Sequence, residues 1–158
     1  MTFNHRGTTH TVSSTWSSNA DDSGMKRALR NGSYSDLNIY YVSDIEGGYL
    51  GHSTYPQKDV TEGSEDFNDD GCVILASTVP EGEMEGYNLG RTTTHEVGHW
   101  FGLLHTFQGG CENTDGGDRV KDTPAQAGPT DGCPEGRDSC KSSEGVDPIH
   151  NFMDYSFE

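Results

Sequence analysis

Residues 92–105 read TTTHEVGHWFGLLH. His95 and His99 stand four apart, with Glu96 beside the first, and His105 follows six residues later. On a helix, positions i and i+4 share one face, about one turn apart. His95 and His99 can therefore aim two imidazoles at one point, close enough to share a metal ion. Glu96 sits next to that face, where it can take a proton from a water at the metal, the arrangement of an H-E-x-x-H helix. Six residues further on, a continuing helix would turn His105 about 240° away from His99. Gly102 removes the difficulty, because glycine accepts a positive φ at little cost and lets the helix stop and the chain turn back. Leu103 and Leu104 can then pack while His105 swings to the same point.

Five fixed positions at ordinary residue frequencies make a chance match to H-E-x-x-H-x-x-G-x-x-H on the order of one in ten thousand for a chain of this length. Three histidines with a fourth position left to water describe an open, catalytic zinc site, whereas a structural site would need a fourth protein ligand. Downstream, NFMDY (151–155) places Met153 48 residues after His105. A methionine there can pack beneath the imidazoles without binding metal. Tyr155 can reach the site and hydrogen-bond an oxyanion.

The rest of the chain reads as one modest domain. It has 158 residues, 30% of them hydrophobic, with 21 glycines. Lys and Arg number 10 against 26 Asp and Glu, a net charge of -16. Such a surface repels phosphate backbones, so nucleic acid is not expected as a partner. No apolar run approaches the roughly 20 residues that cross a bilayer, so no membrane partner is expected. A single domain (1–158) is expected, with an upper lobe to about residue 102 and a lower lobe over 103–158.

DDSGMKRALRNG (21–32) predicts a helix, DLNIYYV (36–42) a strand, GGYLGHSTYP (47–56) a short strand or ribbon, and CVILAS (72–77) a strand. TTHTVSSTW (8–16) holds a weak strand signal, and 57–71 reads as an acidic loop. A helix is expected over 91–101, capped by Thr92, Thr93 or Thr94 and anchored in the core by Trp100 and Phe101. From Gly109 to Pro148 the sequence is almost all Gly, Asp, Pro, Ser and Cys, a stretch that disulfides and bound ions can hold in place of a core. Four cysteines, Cys72, Cys111, Cys133 and Cys140, allow three pairings. Asp115, Asp118 and Asp122 are candidate calcium ligands, with a solvated acidic loop as the equal alternative. The segment ASTVP (76–80) is a candidate cleft edge, where an extended substrate adds as a strand. His5, His10, His52 and His150 follow no ligand pattern and are expected at the surface or hydrogen-bonded.

The chain resembles the pappalysin-like family of metzincin zinc endopeptidases, in particular the extracellular metalloproteases of fungi. The resemblance rests on MKRALRNGSYSDLNIYYV, GCVILASTVP, GYNLGRTTTHEVGHWFGLLHTFQGGC, DTPAQAGPTDGCPEGRDSC and GVDPIHNFMDY. It implies an α+β, zincin-like fold: a small twisted sheet with a backing helix and an active-site helix, then an irregular disulfide-held lobe with a Met-turn. It implies His95, His99 and His105 as zinc ligands, Glu96 as general base, Met153 as the Met-turn methionine and Tyr155 as the tyrosine after it. It implies a Cys111–Cys140 disulfide, with Cys133 paired to a downstream cysteine that the chain lacks; the alternative, where geometry allows, is Cys72 paired with Cys133. It implies secretion, protein or peptide substrates, a monomer, and a chain shortened at both ends. The alternative is a shortened relative that keeps zinc without cleaving, as a binding module.

Overall fold

The run CVIL forms the centre of the sheet. A computed structural model of the protein describes residues 2–157. Its three strands are β1 (Ile39–Val42), β2 (Gly51–Ser53) and β3 (Cys72–Leu75), in the order β1-β3-β2. β1 pairs parallel with β3, Ile39 opposite Cys72, and β2 pairs antiparallel with β3, Gly51 opposite Ile74. Cys72, Val73 and Ile74 have no exposed surface. A strand covered on both faces needs no polar alternation, which is why this run is continuously apolar.

One face of the sheet packs on helix α2 (Asp22–Leu29), whose Asp21 side chain accepts from the Gly24 amide at its start. Met25, Tyr40, Val42, Ile45 and Val73 form the buried cluster there, with Trp16, Leu29 and Leu75 against it. The other face receives helix α4 (Arg91–Trp100), which contacts β2 and β3. Tyr41, on that face, places its hydroxyl 3.3 Å from the Thr93 hydroxyl.

Asp70 ties the pieces together. Its carboxylate, 2% exposed, pairs with Arg30 at 2.9 Å and accepts from the Trp100 indole N–H at 2.9 Å and the Thr54 hydroxyl at 3.2 Å. It thus joins the end of α2, the end of α4 and the loop after β2. Removing one partner of a buried ion pair leaves the other charge uncompensated, at about 3–5 kcal/mol. Asp70→Ala is therefore expected to lower the denaturant midpoint by that much stability; a change under about 1 kcal/mol would contradict the role.

Several expectations need correction. TTHTVSSTW forms no strand: the Ser13 hydroxyl accepts from the Trp16 amide and starts a short helix, α1 (Ser14–Ser17). The acidic loop contains a five-residue helix, α3 (Glu65–Asp69), capped by Ser64, with Phe67 buried beneath the Arg30 guanidinium at 4.4 Å. One apolar residue in five has no period to read. The threonines do not cap α4: Gly90, at φ 85°, precedes Arg91, and Thr92–Thr94 lie inside the helix. Neither aromatic is in the core: Trp100 is half-buried, its indole on Asp70, and Phe101 is 42% exposed at the end of the helix and rests on Trp100 and Phe3.

Beyond α4, residues 103–157 carry only single 3-10 turns, at Gly110–Glu112 and Thr114–Gly116. The Cys111–Cys140 disulfide closes this region. Cys72 and Cys133 do not pair: both are free thiols, Cys72 in the centre of the sheet and Cys133 exposed. Burial pushes the Cys72 thiol up to about 12. No described helix is long and apolar enough to cross a membrane.

Candidate metal centre

Helix α4 ends as the glycine predicts. Gly102 stands at φ 91°, its amide donates to the His99 carbonyl at 2.8 Å, and the Leu103 amide donates to the Gly98 carbonyl at 2.9 Å. This pair of bonds is a Schellman turn. It reverses the chain so that His105 faces the helix it has just left.

The His99 Nε2 lies 3.0 Å from both the His95 Nε2 and the His105 Nε2. The ring of His99 stands nearly perpendicular to the other two, at 89° to each. Two of the outer nitrogens are committed elsewhere. His95 Nδ1 donates to the Phe152 carbonyl at 2.6 Å and His99 Nδ1 to the Leu103 carbonyl at 2.8 Å. The Tyr55 hydroxyl is a further 3.1 Å neighbour of His99 Nδ1. The Nε2 atoms of His95 and His99 therefore direct lone pairs at one another. Burial depresses all three imidazoles below their ordinary range, His105 to about 4, so each stays neutral. Two such lone pairs repel unless a proton or a cation lies between them, and the His105 Nε2 meets them at the same point. Tetrahedral bonds of about 2.0–2.1 Å would put the nitrogens roughly 3.3 Å apart, near the observed spacing, so the three residues fit zinc.

Glu96 sits one residue along, 6% exposed, on the sheet side of α4. Burial alone raises its carboxyl to about 7. Met153 is 6% exposed and packs directly on the helix: a Cβ at Gly98 would stand 2.4 Å from its sulfur. The small residue between Val97 and His99 thus makes room for the methionine. Tyr155 is 47% exposed, its ring 4.9 Å from that of His105 and 5.6 Å from that of His95. Phe107, which sequence reasoning passed over, stacks on His105 at 4.7 Å.

Gln126 was also missed, and it is fully buried. Its amide nitrogen donates to the Asp154 carboxylate, the Thr130 hydroxyl and the Gly128 carbonyl, and its oxygen accepts from Thr106. It therefore fastens the segment after His105 to the turn carrying Met153 and Tyr155. A polar residue in an irregular segment has no pattern that announces such a role.

A cavity of about 300 Å³ opens beside Glu96, between residues 48–51 on one side and Phe152 and Tyr155 on the other. The expected edge at ASTVP is not part of it. Ala76–Thr78 is a 3-10 turn, with Thr78 buried and its hydroxyl donating to the Leu75 carbonyl. The strand at the cavity is β2, an outer strand of the sheet. The calcium candidates do not gather. Among the described residues, the groups of three or more possible ligands are His95, His99 and His105, and an exposed set of Cys133, Glu135 and His150, with no convergence of Asp115, Asp118 and Asp122. Asp118 instead accepts from the amide of its own neighbour Val120, as a loop carboxylate does. His52 and His150 face Asp22 and Glu135, and His5 contacts Thr8.

The sheet, the glycine-ended helix with its histidines and the methionine turn together define a metzincin-type metallopeptidase fold. The M43 peptidase family model, described as pregnancy-associated plasma protein-A, matches residues 19–157, and the chain belongs to that family. It is 55% identical, over its whole length, to an extracellular metalloprotease of Colletotrichum graminicola, of which it covers 55%. It is likewise 55% identical to one of Sordaria macrospora, covering 53% of that protein with 99% of this chain. The chain thus spans about half the length of the curated relatives it matches. Among solved structures, mature mirolysin of Tannerella forsythia in complex with a cleaved peptide is similar at 30% identity and a TM-score of 0.67, over 95% of this chain and 55% of that one. Mirolysin in complex with a compound gives 33% identity and 0.65, over 80% of this chain and 46% of that one.

Proposed function

We propose that the chain is the catalytic domain of a secreted zinc endopeptidase. The observation that carries this reading is the meeting of three neutral imidazoles beside one buried carboxylate that lines a cavity. His95, His99 and His105 would hold the zinc. Bound there, zinc supplies Lewis acidity, polarising a scissile carbonyl and making water easier to deprotonate. Glu96 accepts the proton of the attacking water and passes it to the leaving amine, so the peptide bond breaks with no net change at the carboxylate. Tyr155, exposed and over the histidines, can donate its hydroxyl to the oxyanion. Met153 packs beneath and binds nothing. The Phe152 and Leu103 carbonyls hold two imidazoles in the tautomer that leaves Nε2 free. Secretion draws support from the relatives named extracellular and from the disulfide. Protein or peptide substrates follow from the family.

The zinc-loaded chain is expected to cleave a denatured protein, to stop when a chelator removes the metal, and to resume when zinc is restored. Cleavage that persists through complete metal removal would refute the reading. Bound zinc without any cleavage would assign the chain to metal binding alone.

A further inference from the structure

We infer that Gly51 is a positioning residue for Glu96, its missing side chain being the space in which the catalytic carboxylate lies. The inference rests on the reading of Glu96 as the base. Gly51 stands on β2 opposite Ile74, which in turn stands opposite Tyr41. Residues side by side across a sheet point to the same face. Tyr41 meets Thr93 on α4, so the whole row faces that helix. A Cβ at residue 51 would stand 2.9 Å from the Glu96 Cγ, 3.1 Å from its Oε1 and 3.0 Å from the Val73 carbonyl oxygen.

Glycine here is not a backbone requirement. Gly47 and Gly48, at φ 87° and 77°, lie in the left-handed region and turn the chain into β2, whereas Gly51 does not. What Gly51 provides is room. The Glu96 carboxyl is buried, so the surfaces packed against it constrain its direction. The bare backbone at residue 51 is one wall of that packing. A side chain at this position would press on the Glu96 Cγ and Oε1 and turn the carboxylate from its present direction. The three histidines are not among the atoms nearest that Cβ.

The test uses the zinc-loaded chain and Gly51→Ala. The kcat on a peptide substrate is expected to fall roughly 10- to 100-fold, the penalty for moving a catalytic group by a fraction of its own width. KM is expected to hold within about twofold, and zinc content to stay at one per chain. In the Glu96→Gln background the same substitution should cause no further loss. A second cycle reads stability without activity: Gly51→Ala lowers the melting temperature in the parent chain, and Glu96→Ala restores most of that drop. An unchanged kcat, an equal loss in the Glu96→Gln background, or a melting loss unaffected by Glu96→Ala would overturn the inference. Full activity in Glu96→Gln alone would instead overturn the base assignment, and the melting cycle would still decide the contact.

Discussion

Replacing Glu96 with glutamine is expected to cut peptide-bond cleavage by at least about 10²- to 10⁴-fold while leaving one zinc per chain. The substitution keeps size and shape, so the packing against Gly51 survives. It removes the carboxylate next to His95 on α4, one of two among the described residues that line the cavity, the other being Asp154, which is held by Gln126 and the Thr130 amide. A glutamine cannot take a proton from water, so the nucleophile is no longer generated in step with attack. Zinc stays because glutamate contributes no ligand atom to the three-histidine set. Burial also gives a second readout. A charged group in the apolar interior costs folding stability, and a neutral isostere relieves that cost, so the metal-free variant should melt no lower than the parent. Undiminished turnover in Glu96→Gln would remove it from the mechanism.

The second large effect is expected at His105. His105→Ala should weaken zinc binding by more than about 100-fold, since even loss of an outer partner of a metal ligand costs 10- to 100-fold. Two imidazoles on α4 would remain, one short of the three protein ligands an open zinc site needs. The fold should persist, because the His105 ring is half-buried and its ring contacts among the described residues are with other rings of the site, His99, Phe107, Tyr155 and His95. A pH signature accompanies the loss. Burial lowers the folded pKa of His105 from 6.5 to about 4. The unfolded chain therefore binds the proton first, so the stability is full above pH 6.5 and is lost as pH falls through 4. In metal-free protein, His105→Ala should flatten the fall in melting temperature across that window. Zinc affinity equal to that of the parent would show that His105 is not a ligand.

The two α4 histidines, the glycine turn and the return of His105 were legible because spacing encodes them directly. A helix offers one face every turn, and one residue type suits the left-handed stop. The central strand was legible for a related reason, since full burial demands an unbroken apolar run. What could not be read were contacts made by single residues with no period. Phe67 in its five-residue helix, Gln126 in the irregular lobe and Gly51 beside Glu96 each act through position in space. Cys72 shows the same limit: its surroundings, fully buried in the sheet, exclude the pairing with Cys133 that counting allowed. The cleft edge was misplaced because ASTVP follows an apolar strand and looks extended, yet Thr78 bonds back to Leu75 and curls the segment into a turn. The acidic loop read as a calcium candidate is likewise explained by local bonds such as Asp118 to the Val120 amide.

The central claim is that His95, His99 and His105 form an open, all-nitrogen zinc site. X-ray absorption at the zinc edge of the chain loaded with one equivalent tests it most directly. Three imidazole nitrogens and one light oxygen neighbour at about 2.0–2.1 Å are expected, with no sulfur shell at about 2.3 Å. A sulfur neighbour from Cys72 or Cys133, or a first shell with fewer than three imidazoles, would contradict the account.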